Sequence, residues 1–291
     1  MVVTMAERSI LITGASTGIG EACALHFDRA GWLVFAGVRR DEDGERLRAK
    51  GSKGVKPVLM DVADHASIQR GTAEIATALD GAGLTALVNN AGIAIGGPVE
   101  YLAVEEWRRQ FEVNVIGQVA VTQSVLPLIR RSAGHGRIVF MGSIGGRVAS
   151  PLIGPYSASK HAIEAIAESM RHELHDTGIR VIVIEPGAVR TPIWDKGQSA
   201  ADEIEAAMPE EATQRYGAAV ADLRKAMAFQ ARTGVDPDVV ARVVDKAVAS
   251  SRPAARYLVG RDAKMMATVA RLLPDRGRDA TMRRVMKLAA R

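Results

Sequence analysis

The chain has 291 residues, 47% hydrophobic and 24% charged, which suits a soluble globular protein and leaves room for one large α/β domain or two small ones. A single cysteine, Cys23, excludes an intramolecular disulfide and a cysteine metal cluster. The net charge of +5 is uneven: residues 252–291 carry eleven Arg or Lys against three Asp, so residues 1–251 are slightly acidic, and no nucleic-acid partner is expected.

Met1-Val2-Val3-Thr4-Met5 lacks the charged region and the apolar run of a signal peptide, and no apolar run reaches the roughly 20 residues of a membrane span, so a cytoplasmic protein is expected. Ser9-Ile10-Leu11-Ile12 reads as a first strand, followed by a glycine-rich turn and a helix near 18–30. Further strands are expected at Trp32 to Ala36, Lys56 to Met60, Thr85 to Val88, Arg137 to Met141 and Arg180 to Ile184, with Tyr257-Leu258-Val259 as a seventh. These runs are short, continuous and rich in β-branched residues, as in strands covered on both faces, and helical patterns fill the gaps. The expected fold is α/β, a Rossmann-type doubly wound parallel sheet of about seven strands. A single domain spans 1–260, with a helical segment at 193–235 and a basic amphipathic extension at 261–291 packing on the same domain.

Thr13-Gly14-Ala15-Ser16-Thr17-Gly18-Ile19-Gly20 joins the first strand to the first helix. There Gly14 suits a tight turn, Gly18 a close approach of backbone to a pyrophosphate, and Gly20 close helix–sheet packing, while the helix N-terminus offers N–H groups to phosphates. The same glycines would also serve a turn that only packs.

Tyr156 and Lys160 are four residues apart, so a helix projects both from one face. A free phenol has a pKa of about 10, and a neighbouring ammonium favours the phenolate. Ser143 lies at the end of the fifth strand and would equally serve as a helix N-cap; Asn114, on the preceding helix, would equally be a buried polar residue. His26, His65, His135, His172 and His175 show no metal-ligand spacing, and no metal is expected.

The glycine motif, Asn89-Asn90-Ala91-Gly92, Asn114, Ser143, Tyr156 with Lys160, and Pro186-Gly187 with Thr191-Pro192 stand in an order that resembles the short-chain dehydrogenase/reductase family over residues 8 to about 195. The resemblance implies an NAD(P)-dependent alcohol dehydrogenase or carbonyl reductase. It makes Tyr156 the general acid/base, Ser143 its partner on the substrate oxygen, Lys160 the modulator of the phenol and a ligand of the nicotinamide ribose, and Asn114 the holder of a relay water. Ser16, Thr17, Ile19 and the three glycines would cradle the diphosphate. Asp61 with Val62 would meet the adenine, Asn89 with Ala91 and Gly92 the adenosine ribose region, Pro186, Gly187 and Val189 the nicotinamide, and Thr191 the diphosphate. The family also implies a homodimer or homotetramer.

An NAD enzyme usually places an acid at the end of the second strand. This chain has Arg39 and Arg40 there, before Asp41, and Arg39 would pair a 2′-phosphate, so NADP(H) is favoured over NAD(H). The resemblance makes 1–260 the catalytic domain and 193–235 its substrate flap. The flap is largely apolar (Ile193, Trp194, Ile204, Met208, Tyr216, Met227, Phe229), which favours a small hydrophobic alcohol or carbonyl substrate, although these residues would equally be packing faces. Gly97 to Glu100, Gly145-Gly146-Arg147 and the tail loosely resemble the retinol and 17-beta-hydroxysteroid dehydrogenase branch. The tail reads as two short helices broken near Pro274 and Gly277, with Met265, Met266, Val269, Leu272 and Leu273 on one face. Packing on a pocket or subunit is favoured over contact with a membrane surface.

Overall fold

The computed structural model describes residues 8–132, 134–193 and 209–285. Seven parallel strands form one sheet: β1 (Ser9–Ile12), β2 (Leu33–Val38), β3 (Val55–Leu59), β4 (Ala86–Asn89), β5 (Arg137–Met141), β6 (Arg180–Pro186) and β7 (Arg256–Val259). They lie in the order β3-β2-β1-β4-β5-β6-β7. Alternate residues feed opposite faces, as the strand repeat of two requires. Ile10, Ile12, Val34, Ala36, Val139 and Ile182 enter one core, and Leu11, Phe35, Leu87, Ile138, Phe140 and Val183 the other. Both cores are closed by helices, which explains the continuous apolar runs. The expected strands are all present. β2 runs on to Val38 because its whole length pairs with β1 or β3, and β6 extends to Pro186 because β7 pairs alongside it.

One core lies under α1 (Gly18–Arg29), α2 (Asp41–Lys50) and α8 (Pro237–Ala249); the other lies under α3 (His65–Leu79), α5 (Gly117–Arg130) and α6 (Gly154–Glu173). The helix α4 (Val104–Phe111) joins α5 through a π-helical turn, Glu112–Ile116. Within the resulting unit, Val104–Arg130 (27 residues), an 18-residue window has a mean hydropathy of 1.2, enough to cross a membrane by length and composition. The unit holds no uninterrupted apolar run of about 20 residues, since Asn114, Gln118, Gln123 and Ser124 break the pattern. Its inner face carries Gln110, Asn114, Gln118 and Thr122, all buried against the body of the protein.

The described part of the flap is one long helix, α7 (Glu210–Thr233), and residues 194–208, with Trp194, Ile204 and Met208, lie outside the described residues. The tail forms α9 (Arg261–Leu272) and α10 (Asp275–Val285), with the break at Leu273-Pro274 and Gly277 inside α10. The packed face of α9 differs from the expected one. Ala263 and Ala267 are buried, whereas Met265 and Leu272 are 62% and 71% exposed. Small alanines let the helix approach the body closely, so they define the contact face, while Met265 and Leu272 point away.

Candidate active site

The strand order reverses direction between β1 and β4, and open parallel sheets form a crevice at the carboxyl ends of such strands. Here that crevice has a volume of about 210 Å³. Gly14, Ser16, Thr17, Gly18 and Ile19 form one wall, Asp61, Val62, Ala91 and Gly92 another, and Pro186, Gly187, Val189 and Thr191 the third. Ser143, Tyr156 and Lys160 line the same cleft, and Arg39 stands on its rim.

Gly14 and Gly18 both take left-handed backbone, φ 64° and 61°, where a side chain is strained. A Cβ on Gly14 would fall 2.8 Å from the Ala91 Cα, and one on Gly20 would collide with the Gly14 carbonyl. Gly20 does not line the cleft; it permits the close packing expected of it. Among the described residues Thr17 makes no side-chain cap on α1, which leaves that helix's first N–H groups directed at the cleft. A narrow glycine cradle ending in an uncapped helix N-terminus fits a dinucleotide diphosphate.

The two asparagines after β4 separate. Asn90 lines the cleft, and its Nδ2 donates to the Thr13 and Gly14 carbonyls at 2.9 and 3.1 Å. Asn89, expected beside the ribose, is fully buried behind the wall, its Nδ2 donating to Thr122 Oγ1 at 2.7 Å. Strand alternation turns one inward and the other outward, and the Asn89 side chain ties β4 to α5 instead.

Ser143 ends β5; its Oγ accepts from Gly145 N–H at 3.0 Å, closing the turn Ile144–Gly146, and its hydroxyl also hydrogen-bonds the Tyr156 phenol. Tyr156 and Lys160 project together from the first turns of α6. Lys160 Nζ lies 5.7 Å from the Tyr156 ring centroid and donates to the Met141 carbonyl at 2.7 Å. Burial raises the Tyr156 pKa, with the Ser143 hydrogen bond pulling against it. Burial likewise lowers Lys160 to about 8, with the Glu164 carboxylate opposing. In this geometry desolvation, and not the ammonium, sets the direction of the phenol's shift, against the expected depression.

Asn114 sits in the π turn and does not line the cleft. Its Oδ1 accepts from Ile93 N–H at 2.8 Å, and its Nδ2 donates to the Ile93 carbonyl and to Ser159 Oγ at 3.0 and 3.1 Å. It joins the cleft wall to the helix bearing Tyr156 and Lys160.

A model of the family described as short chain dehydrogenase matches residues 8–202. The chain belongs to the short-chain dehydrogenase family. Its relatives include the NADPH-dependent 3-dehydrocapnine reductase of Ornithobacterium rhinotracheale, 35% identical over 92% of this chain and 94% of that protein. Human retinol dehydrogenase 5 is 33% identical over 94% of this chain and 87% of its own length, in keeping with the retinol dehydrogenase branch. A crystal structure of a short-chain dehydrogenase from Streptomyces avermitilis aligns with a TM-score of 0.77 at 25% identity, covering 98% of this chain and 99% of that one. The protein is thus an NAD(P)-binding oxidoreductase of the family.

At the Arg39 end of the cleft of this dehydrogenase, Arg40 is occupied: it donates twice to the Asp43 carboxylate, at 3.0 and 3.1 Å. Arg46 also pairs Asp43, at 2.9 Å, and donates to the Ser16 carbonyl at 2.9 Å. Arg40 first, and Arg46 with it, hold the Asp43 carboxyl below its usual range. Sequence reasoning missed Arg46; its place one turn after Asp43 was the available signal. Just after the Ser143 turn, Arg147 reaches the fully buried Glu185 with its Nε and Nη2 at 2.6 and 2.7 Å. Among the described residues there is no group of three or more His, Cys, Asp or Glu placed to hold a metal.

Proposed function

We propose that the protein reduces a hydrophobic ketone or aldehyde, or oxidises the corresponding alcohol, using NADP(H), with Tyr156 as general acid/base. The observation that carries this reading is the convergence of Ser143, Tyr156 and Lys160 at one end of a cleft whose other end is a glycine cradle rimmed by Arg39. NADPH, when bound, supplies the hydride. The side chains then handle the oxygen. The Ser143 hydroxyl and the Tyr156 phenol orient the carbonyl, and the phenol gives it a proton as the carbon accepts the hydride. The raised pKa of Tyr156 keeps it protonated at neutral pH, the state required of a proton donor, which favours reduction.

Lys160 would hold the nicotinamide ribose and help return a proton to Tyr156, with Asn114 fixing the wall behind both. Pro186, Gly187 and Val189 would face the nicotinamide, and Arg39 the 2′-phosphate, Arg40 being occupied by Asp43. Ile93, Val113, Met141 and Ile193 make the substrate side apolar, which supports a lipophilic substrate such as a steroid or retinoid. A homo-oligomer formed through the outer face of the Val104–Arg130 unit is supported by Val104 and Ile116, 57% and 52% exposed. Separate titrations with NADPH and NADH, followed by nicotinamide fluorescence, test the cofactor reading. Tight NADPH and weak NADH binding is expected, and NADH preference would overturn the role of Arg39.

A further inference from the structure

The tail approaches the cleft from outside, at two points. The first is the loop after β6. Its Gly187 N–H donates to the Val259 carbonyl at 2.9 Å, and its Arg190 N–H to the Val235 carbonyl at 3.0 Å. Ala188 N–H, between them, donates to Asp262 Oδ2 at 2.6 Å, a charge-assisted bond from the first turn of α9. Gly187 is packed so closely on this carboxylate that a methyl group there would collide with it. The second point is the segment after the Ser143 turn: α9 contacts that turn, and Met266 and Val269 face Val148 across a gap of about 20 Å³. One helix beyond the family match, which ends at residue 202, therefore touches both the nicotinamide wall and the turn that carries Ser143.

We propose that α9 is a brace that sets the nicotinamide wall against the catalytic turn, and that Asp262 is the positioning residue that holds Gly187 and Ala188 in place. This rests on the reading that the 186–191 loop faces the nicotinamide. Without the carboxylate, Ala188 N–H loses its acceptor and the Gly187 contact opens, so the loop is freed at the end of the cleft where the hydride moves. Among the described residues no hydrogen bond joins the glycine cradle at the far end to α9, and the cradle's own bonds, to Val88, Gly37 and Asn90, do not depend on Asp262.

Two probes separate the ends of the cleft: NADPH, and 2′,5′-ADP, which has the adenosine half alone. Calorimetric titration of the Asp262→Ala variant should show NADPH affinity reduced about tenfold or more, with 2′,5′-ADP unchanged within about twofold. Asp262→Asn keeps an acceptor for Ala188 and should recover most of the loss. Gly187→Ala leaves Asp262 in place but drives a methyl against it; it should reproduce the loss, and add little when introduced into Asp262→Ala. Equal weakening of both probes would mean a merely structural role and would overturn the proposal. So would unchanged NADPH binding in Asp262→Ala and Gly187→Ala. Wild-type protein that bound neither probe would overturn the dinucleotide reading and the brace with it, whereas binding of both with indifferent variants would remove the brace alone.

Discussion

Tyr156 and Lys160 share a turn of α6 and a low-dielectric environment, and burial moves each toward its neutral form. Tyr156→Phe keeps the ring and removes the proton, so turnover should be lost while dinucleotide affinity, read by fluorescence titration, stays nearly constant. Lys160 gives up its proton at about pH 8. With a ketone substrate, kcat/KM should fall as pH rises through that value, and Lys160→Arg should move the fall to higher pH, because a guanidinium stays charged. Arg39 differs from its neighbour in that Arg40 is held by Asp43. Arg39→Ala should weaken NADPH about tenfold or more and NADH by less than about twofold, since only the phosphate offers a charge-assisted contact.

The element that shapes the cleft wall is the Val104–Arg130 unit. Gln110, Asn114, Gln118 and Thr122 recur every four residues along its inner face, and each hydrogen-bonds the segment from Asn89 to Ile95. Gln110 bonds Ile95 N–H and the Ile93 carbonyl, Asn114 bonds Ile93, Gln118 the Ala91 carbonyl, and Thr122 accepts from Asn89. The wall backbone has no strand partner there, so side chains satisfy it. Gln110→Leu should strand a buried N–H and cost about 1–3 kcal/mol of stability in urea denaturation. Asn114 was legible as a site residue by resemblance, and the four-residue spacing was visible in the sequence. The π turn that carries Asn114 was not, because Glu112–Ile116 continue the helical pattern and Gly117 after them reads equally as a helix residue.

At the scale of the whole molecule, Glu185 is a fully buried carboxyl on β6. Arg147 reaches it from the catalytic turn, while Arg256 on β7 pairs Glu164 on α6 at 2.8 Å. Burial pushes the Glu185 carboxyl up to about 7, with Glu164 adding to the rise and Arg147 opposing it. The native state therefore binds this proton more tightly than the unfolded chain, whose carboxyl titrates near 4.5. Its contribution to stability is present below pH 4.5 and declines as pH rises toward 7. Denaturation midpoints should show that decline in the wild type and a flatter profile in Glu185→Gln. Arg147→Met leaves the carboxylate without its partner, so it should cost about 3 kcal/mol or more at pH 8 and less at pH 5, where Glu185 can take up a proton.

Local pattern alone determined the alternation of strands and helices, the glycine turn, the Tyr156–Lys160 pairing on one helix face and the basic character of the tail. Each depends on residues within one or two turns of chain, where periodicity and backbone sterics act directly. Tertiary structure decided which of Asn89 and Asn90 meets the cleft, that Lys160 Nζ bonds Met141, and that Arg40 is occupied while Arg39 stands on the rim. It also brought Arg147 to Glu185 and Asp262 to Ala188, pairs 38 and 74 residues apart. Such pairs form only because the sheet order sets β6 between β5 and β7, so that loops distant in sequence emerge side by side at the carboxyl edge. Hydrogen-bond direction and desolvation then follow from that packing, and no local pattern encodes them.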